Sequence, residues 1–188
     1  MKKIITLLII IIIIIGLVFL WKYKFEEIVL KEFYPIKYSE YVEKYASKYN
    51  IDPLLIYSII KAESNFKPDV KSSSDAYGLM QVTKESAKDV AKKLDTKTTN
   101  TKMLYDPKTN IKIGVTYFNF LLEKYDYNTN IAVIAYNAGF GNVDKWIQKG
   151  IIKEDGQDLE NVPFKETNNY VRKILNNYEI YKKLYWTF

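Results

Sequence analysis

The chain has 188 residues, a formal net charge of +6 from 28 Lys and Arg against 22 Asp and Glu, and neither histidine nor cysteine. Without thiols there can be no disulfide, no thiolate metal site and no lipid tether through an N-terminal cysteine, and without imidazole the carboxylates are almost the only acid–base groups near neutral pH. The basic excess is nearly all lysine, with Arg172 the only arginine; lacking arginine forks and any nucleic-acid motif, it reads as a solvated surface, and no nucleic-acid partner is expected.

Ile4 to Trp21 is apolar except for Thr6 and Gly16, about the 20 residues that a helix needs to cross a hydrocarbon core. A cleaved signal peptide has a shorter apolar core and small residues at its cleavage site, and neither is evident after Leu20. Residues 1–21 are therefore expected to be an uncleaved transmembrane signal anchor, with Trp21 and Tyr23 at the interface. Lys2 and Lys3 on one side nearly balance Lys22, Lys24 and Lys31 on the other, so charge leaves the orientation open. Residues 22–37 mix charges with Phe25, Ile28, Val29, Leu30 and Phe33 and read as an amphipathic juxtamembrane stalk interrupted at Pro35. The remainder, 38–188, is about the length of one compact domain.

Within that domain Ser39 is expected to cap a helix whose Tyr41, Val42, Tyr45, Ala46 and Tyr49 form one stripe. Asp52-Pro53 then opens a second helix, the aspartate capping and the proline fitting the first helical position. Glu63 lies at the end of this helix. Ile60, Ile59 and Ile56 stand three, four and seven places before it, so the carboxyl shares their apolar face. Burial and the negative end of the helix dipole both disfavour the anion, which suits a general acid; a carboxylate that merely closes the helix end is the competing reading.

A loop rich in Ser, Asp, Pro and Gly follows from Asn65 to Gln81. Thr83 opens a helix with Ala87, Val90, Ala91 and Leu94 on one face, and Asp106-Pro107 opens another with Ile111, Gly114, Val115, Phe118, Leu121, Leu122 and Tyr125 at helical spacing. A short apolar helix spans Ile131 to Tyr136 and stops at Asn137-Ala138-Gly139. Val143, Trp146 and Ile147 mark the next, 150–163 is a loop, and a last helix runs from about Glu166 to Leu184. No stretch alternates as a strand, so the domain is expected to be mainly α.

Four segments, Glu63-Ser64-Asn65-Phe66, Gly78-Leu79-Met80-Gln81, Ala135-Tyr136-Asn137-Ala138-Gly139 and Glu166-Thr167-Asn168-Asn169-Tyr170-Val171, occur in an order that resembles the family 1 (SLT-type) lytic transglycosylases. The resemblance covers residues from about 38 to 184 and implies a goose-type lysozyme-like helical domain acting on the glycan strands of peptidoglycan. It implies that Glu63 is the catalytic acid, that Ser72 and Ser74 face it from the loop or simply form turns, and that Met80 and Gln81 line the cleft, Gln81 as donor and acceptor. It further implies that Tyr136 and Asn137 contact sugars and that Tyr170 closes the site near the acid, with Glu166 more structural than chemical. Asn168, where many members carry arginine, puts a supporting ion pair in doubt; Asp75, where many carry glycine, adds a carboxylate near the site.

The implied reaction cleaves the β-1,4 bond between N-acetylmuramic acid and N-acetylglucosamine. Glu63 protonates the leaving oxygen and then, as base, assists the muramoyl C6 hydroxyl to close a 1,6-anhydro ring, with no metal or other cofactor. Such an enzyme would be held at the cytoplasmic membrane with its domain on the wall side. Two alternatives stand beside it: a hydrolase on the same scaffold using Asp75 or Glu166 as second carboxylate, and a catalytically silent wall-binding or assembly protein.

Overall fold

A computed structural model describes residues 2–94 and 100–185, with side chains from residue 9 onward. Residues 1–35 with 183–188 form one compact unit and 36–182 another. The first unit is dominated by helix α1, Lys2–Phe33, which continues unbroken from the expected anchor into the stalk and ends before Pro35. Ile9 to Ile15 and Leu17 to Trp21 are exposed along it. Among the described residues no helix is long and apolar enough to cross a membrane, and the expected span Ile4–Trp21 begins among side chains outside them. Near the end of the stalk Lys31 pairs with Glu27 at 2.6 Å and lies over the ring of Tyr185, whose hydroxyl donates to the Tyr34 carbonyl at 2.8 Å.

The second unit is helical, with α2 (Ser39–Lys48), α3 (Pro53–Ser64), α4 (Lys84–Lys93), α5 (Pro107–Lys124), α6 (Thr129–Ala138), α7 (Phe140–Gln148) and α8 (Lys165–Tyr185, its residues up to Lys182 belonging here). Helix starts follow local chemistry. Asp52 accepts from the Leu54 amide, Thr83 from Ser86, Asp106 from Thr109 and Asn128 from Ile131, each satisfying an amide that the helix leaves orphaned. Helix α2 departs from expectation. Its N-cap is Tyr38 in the left-handed region at φ 59°, without a side-chain cap, and Ser39 is already the first helical residue.

Helix α5 is the hub, packing on α2, α4 and α6. Its Ile111, Val115, Phe118 and Leu121 are fully buried, as are Val42 and Ala46 of α2 and Ile131, Ala132 and Val133 of α6. Burying such side chains contributes about 1.5–3 kcal/mol each, and this places a rigid floor beneath the loop 65–82. That loop has no regular strand; two isolated antiparallel bridges, Lys71 with Tyr77 and Tyr77 with Val82, fold it back on itself.

Candidate active site

Glu63 stands one residue before the end of α3, and Ile56, Ile59 and Ile60 of the same face are completely buried. Although the residue as a whole is half-buried, its carboxyl is packed deeply enough that burial pushes its pKa up to about 7. Two groups oppose that rise. The Tyr170 hydroxyl donates to Glu63 Oε1 at 2.5 Å, and the Lys173 ammonium, which donates to the neighbouring Ala62 carbonyl at 2.8 Å, adds a favourable field. Burial and the nearby Glu63 carboxyl hold the hydroxyls of Tyr170 and Tyr136 well above the usual tyrosine range, so both remain protonated donors. A carboxyl that titrates near neutrality beside such donors can both release and recover a proton.

Helix α8 reaches α3 by side chains that keep an antiparallel order. Tyr178 donates to Asp52, the cap of α3, at 2.5 Å; Asn177 meets the Ser58 carbonyl, Lys173 that of Ala62, and Tyr170 the acid itself. One turn further back, the Thr167 hydroxyl donates to Asn137 Oδ1 at 2.7 Å, tying in the end of α6.

The opposite wall is the loop. Ser64 Oγ donates to the Leu79 carbonyl at 2.8 Å, fastening the loop to the end of α3. Buried Asn110 of α5 holds it from below: its Nδ2 donates to the carbonyls of Tyr77 and Leu104 at 2.7 and 2.6 Å, and its Oδ1 accepts from the Met80 amide at 2.8 Å. Gly78, at φ +71°, passes so close that a Cβ there would lie 2.4 Å from the Leu104 carbonyl oxygen and 2.5 Å from Asn110 Nδ2. Sequence reading missed Asn110. Its signal was a polar residue in register with Gly114, Phe118 and Leu121 on the buried face of α5.

Between these walls lies a cleft of about 410 Å³ lined by Glu63, Ser72, Ser74, Gln81, Tyr136 and Asn137, with Thr83, Phe164, Glu166 and Thr167 among the residues completing it. Larger hollows of about 630 and 550 Å³ flank Lys124, but the raised carboxyl of Glu63 opens into the smaller cleft, and we assign the chemistry there.

Most of the expected site residues therefore meet, though several do so differently. Met80 is fully buried and its side chain packs on Gly114 rather than lining the cleft; its carbonyl accepts the Tyr136 hydroxyl at 2.8 Å, which orients that ring. Gln81 lines the cleft, but its Nε2 donates to the carbonyls of Gly78 and Val70, leaving its oxygen as the acceptor it offers. Ser72 Oγ accepts from the Ala76 amide at 3.1 Å, a turn-forming role. Tyr170 acts on the acid from behind, through its hydroxyl.

Asp75 is turned to Lys71 at 2.6 Å and accepts from Tyr77, and Lys71 holds its carboxyl below the usual aspartate range. It does not line the cleft; Glu166, exposed, does. Where an arginine pair was in doubt, Asn168 Oδ1 accepts from Arg172 Nε at 2.8 Å and its amide nitrogen donates to the Leu159 carbonyl. Phe164, 48% exposed beside the cleft and edge-on to Trp146 at 4.9 Å, presents an apolar ring there that sequence reading passed over.

A family model described as the transglycosylase SLT domain matches residues 40–158. The chain is 32% identical over 148 residues to the soluble lytic murein transglycosylase of Escherichia coli, covering 78% of this chain and 23% of that protein. It is 34% identical over 169 residues to the membrane-bound lytic murein transglycosylase C of Edwardsiella ictaluri, covering 79% and 47% respectively. Among solved structures, the 70-kDa soluble lytic transglycosylase of Escherichia coli superposes with a TM-score of 0.74 at 30% identity, over 82% of this chain and 25% of that one. A 70-kDa soluble lytic transglycosylase in complex with bulgecin A also superposes with a TM-score of 0.74, at 31% identity over 82% of this chain and 25% of that one. The chain thus spans about a quarter of the length of these soluble relatives, and its second unit has their mainly helical, lysozyme-like fold.

Proposed function

The chain belongs to the transglycosylase SLT domain family, and from that premise we propose that it is a peptidoglycan lytic transglycosylase whose acid and base are one residue, Glu63. The observation that carries this reading is the carboxyl with a pKa of about 7, held by Tyr170 at the wall of an open cleft. At neutral pH a large fraction of such a carboxyl is protonated and can donate to the glycosidic oxygen. Once ionised, it is stabilised by the Tyr170 hydroxyl and the Lys173 charge and can take the proton of the muramoyl C6 hydroxyl. Attack by a hydroxyl already tethered to the reacting ring gains from its high effective concentration and consumes no water. Ser74, Gln81, Tyr136 and Asn137 line the path of the glycan, with Phe164 as a further apolar contact.

Digestion of purified sacculi, read by mass, tests this. Anhydro-muramic ends from the native chain and none from Glu63→Gln are expected; reducing muramic ends would overturn the transglycosylase reading. A hydrolase is the one second reading with an observation behind it, because Glu166 shares the cleft. Glu166→Gln separates the two, since it would abolish hydrolysis and leave anhydro products unaffected.

We also infer that the apolar run Ile4–Trp21 holds the chain in the cytoplasmic membrane, with residues 38–188 on the wall side. The exposed apolar row from Ile9 to Trp21 supports this, as does the likeness to a relative named as membrane-bound. Extraction of membranes with alkaline carbonate should leave the chain in the pellet; release into the supernatant would remove the anchor.

A further inference from the structure

Asn137 is an exposed amide on the cleft wall, and Thr167, 2% exposed, stands behind it on α8. Their 2.7 Å hydrogen bond has a defined sense. A buried hydroxyl needs an acceptor for its proton, and among the described residues the acceptor of the Thr167 hydroxyl is Asn137 Oδ1. With the amide rotated, that proton would face an NH2 group and have no acceptor. The amide oxygen is therefore fixed toward Thr167, and the two N–H donors of Nδ2, which have no partner among the described residues, are left to the cleft.

We propose that Thr167 is a positioning residue that fixes Asn137 as a hydrogen-bond donor, so that the cleft selects the acetamido carbonyl oxygen of its sugar. The proposal rests on the glycan reading above. A ring hydroxyl can donate or accept and would be bound by either face of an amide. An acetamido oxygen only accepts, and the ammonium of a de-N-acetylated sugar only donates, so a fixed donor separates these two. A site built around a specific hydrogen bond rejects the ligand that lacks it because its own polar group is then left unpaired. Thr167 also lies one helical turn before Tyr170, so the same helix sets both the protonation of the acid and the polarity of the sugar contact.

The test uses the full chain in detergent micelles, on N-acetylated and on chemically de-N-acetylated glycan strands, with Thr167→Val as the isosteric variant and Thr167→Ser as its rescue. The native chain is expected to favour the acetylated strand about tenfold in kcat/KM. Thr167→Val should lose most of that preference through a raised KM, while the pH of half-maximal activity stays in place because Glu63 and Tyr170 are untouched. Thr167→Ser should restore the preference, and Thr167→Val should have no further effect in an Asn137→Ala background. Melting curves establish that each variant is folded. An undiminished preference in folded Thr167→Val, or equal loss in the serine variant, overturns the assignment while leaving the glycan reading intact. Absence of turnover on either strand overturns the proposed activity instead; the assignment is then read by binding of N-acetylglucosamine against glucosamine oligomers, where equal affinities would sink it.

Discussion

The two walls of the cleft are built on opposite plans. In the helical wall α8 is joined to α3 by side chains from residues more than a hundred positions apart, as in Tyr170 to Glu63, Lys173 to Ala62 and Tyr178 to Asp52, and to the end of α6 by Thr167. The loop wall is held mainly through its own backbone, by Asn110, Ser64 and Gly78, and by the turn bonds of Ser72 and Gln81. The helical wall sets the proton affinity of the acid; the loop wall sets the width of the space before it. Changes in the two walls should accordingly fail in different measurements.

The largest effect is expected in the loop wall. Gly78→Ala adds a Cβ at positive φ against a backbone carbonyl and the buried amide of Asn110, and should cost about 3 kcal/mol or more of stability; an unchanged melting temperature would show that the loop yields. Next is Glu63→Gln, for the pH dependence of stability. The native carboxyl titrates at about 7 against 4.5 as its ordinary value, so the folded state holds the proton more tightly and is destabilised as pH rises from 4.5 to 7, then stays so. Removing the charge should therefore stabilise the fold at pH 8 by on the order of 3 kcal/mol and do little below pH 4. Denaturation of both forms at the two pH values checks this.

Tyr170→Phe keeps the ring and removes the donor. Loss of one charge-assisted bond should reduce kcat about ten- to a hundredfold and move the pH at which activity declines upward, since that bond favours the anion. Lys173→Met should move the same limb in the same direction by only about half a unit, because this exposed lysine acts through a solvated field. The smallest effect is expected at Asp75→Asn, which removes an exposed pair outside the cleft; a change in product, from anhydro to reducing ends or the reverse, would return Asp75 to the chemistry.

The contrast between the walls also explains what could be read from the sequence. Asp52-Pro53 and Asp106-Pro107 announce helix starts because their chemistry is complete within three residues, and Glu63 stands out because its apolar neighbours lie on its own helix. Asn110 and Thr167 gave no comparable signal. Their meaning lies in carbonyls and amides brought from distant segments, so that each reads locally as one more polar residue in a helix. Met80 and Gln81 were placed in the cleft by motif, and neighbouring positions on a sharply folded loop then divided between core and surface. Tyr38 took the cap expected of Ser39 through its backbone conformation rather than its side-chain chemistry.

The antiparallel seam of α8 on α3 also has a consequence in time. Glu63 is synthesised 107 residues before the tyrosine that donates to it, so no folding of the early helices alone can supply the acid with its proton partner. A chain emerging vectorially, from a ribosome or across a membrane, carries its carboxyl unpartnered until nearly the whole domain has followed. The carboxyl thus meets its donor only as the last helix docks, and assembly of the cleft coincides with completion of the domain.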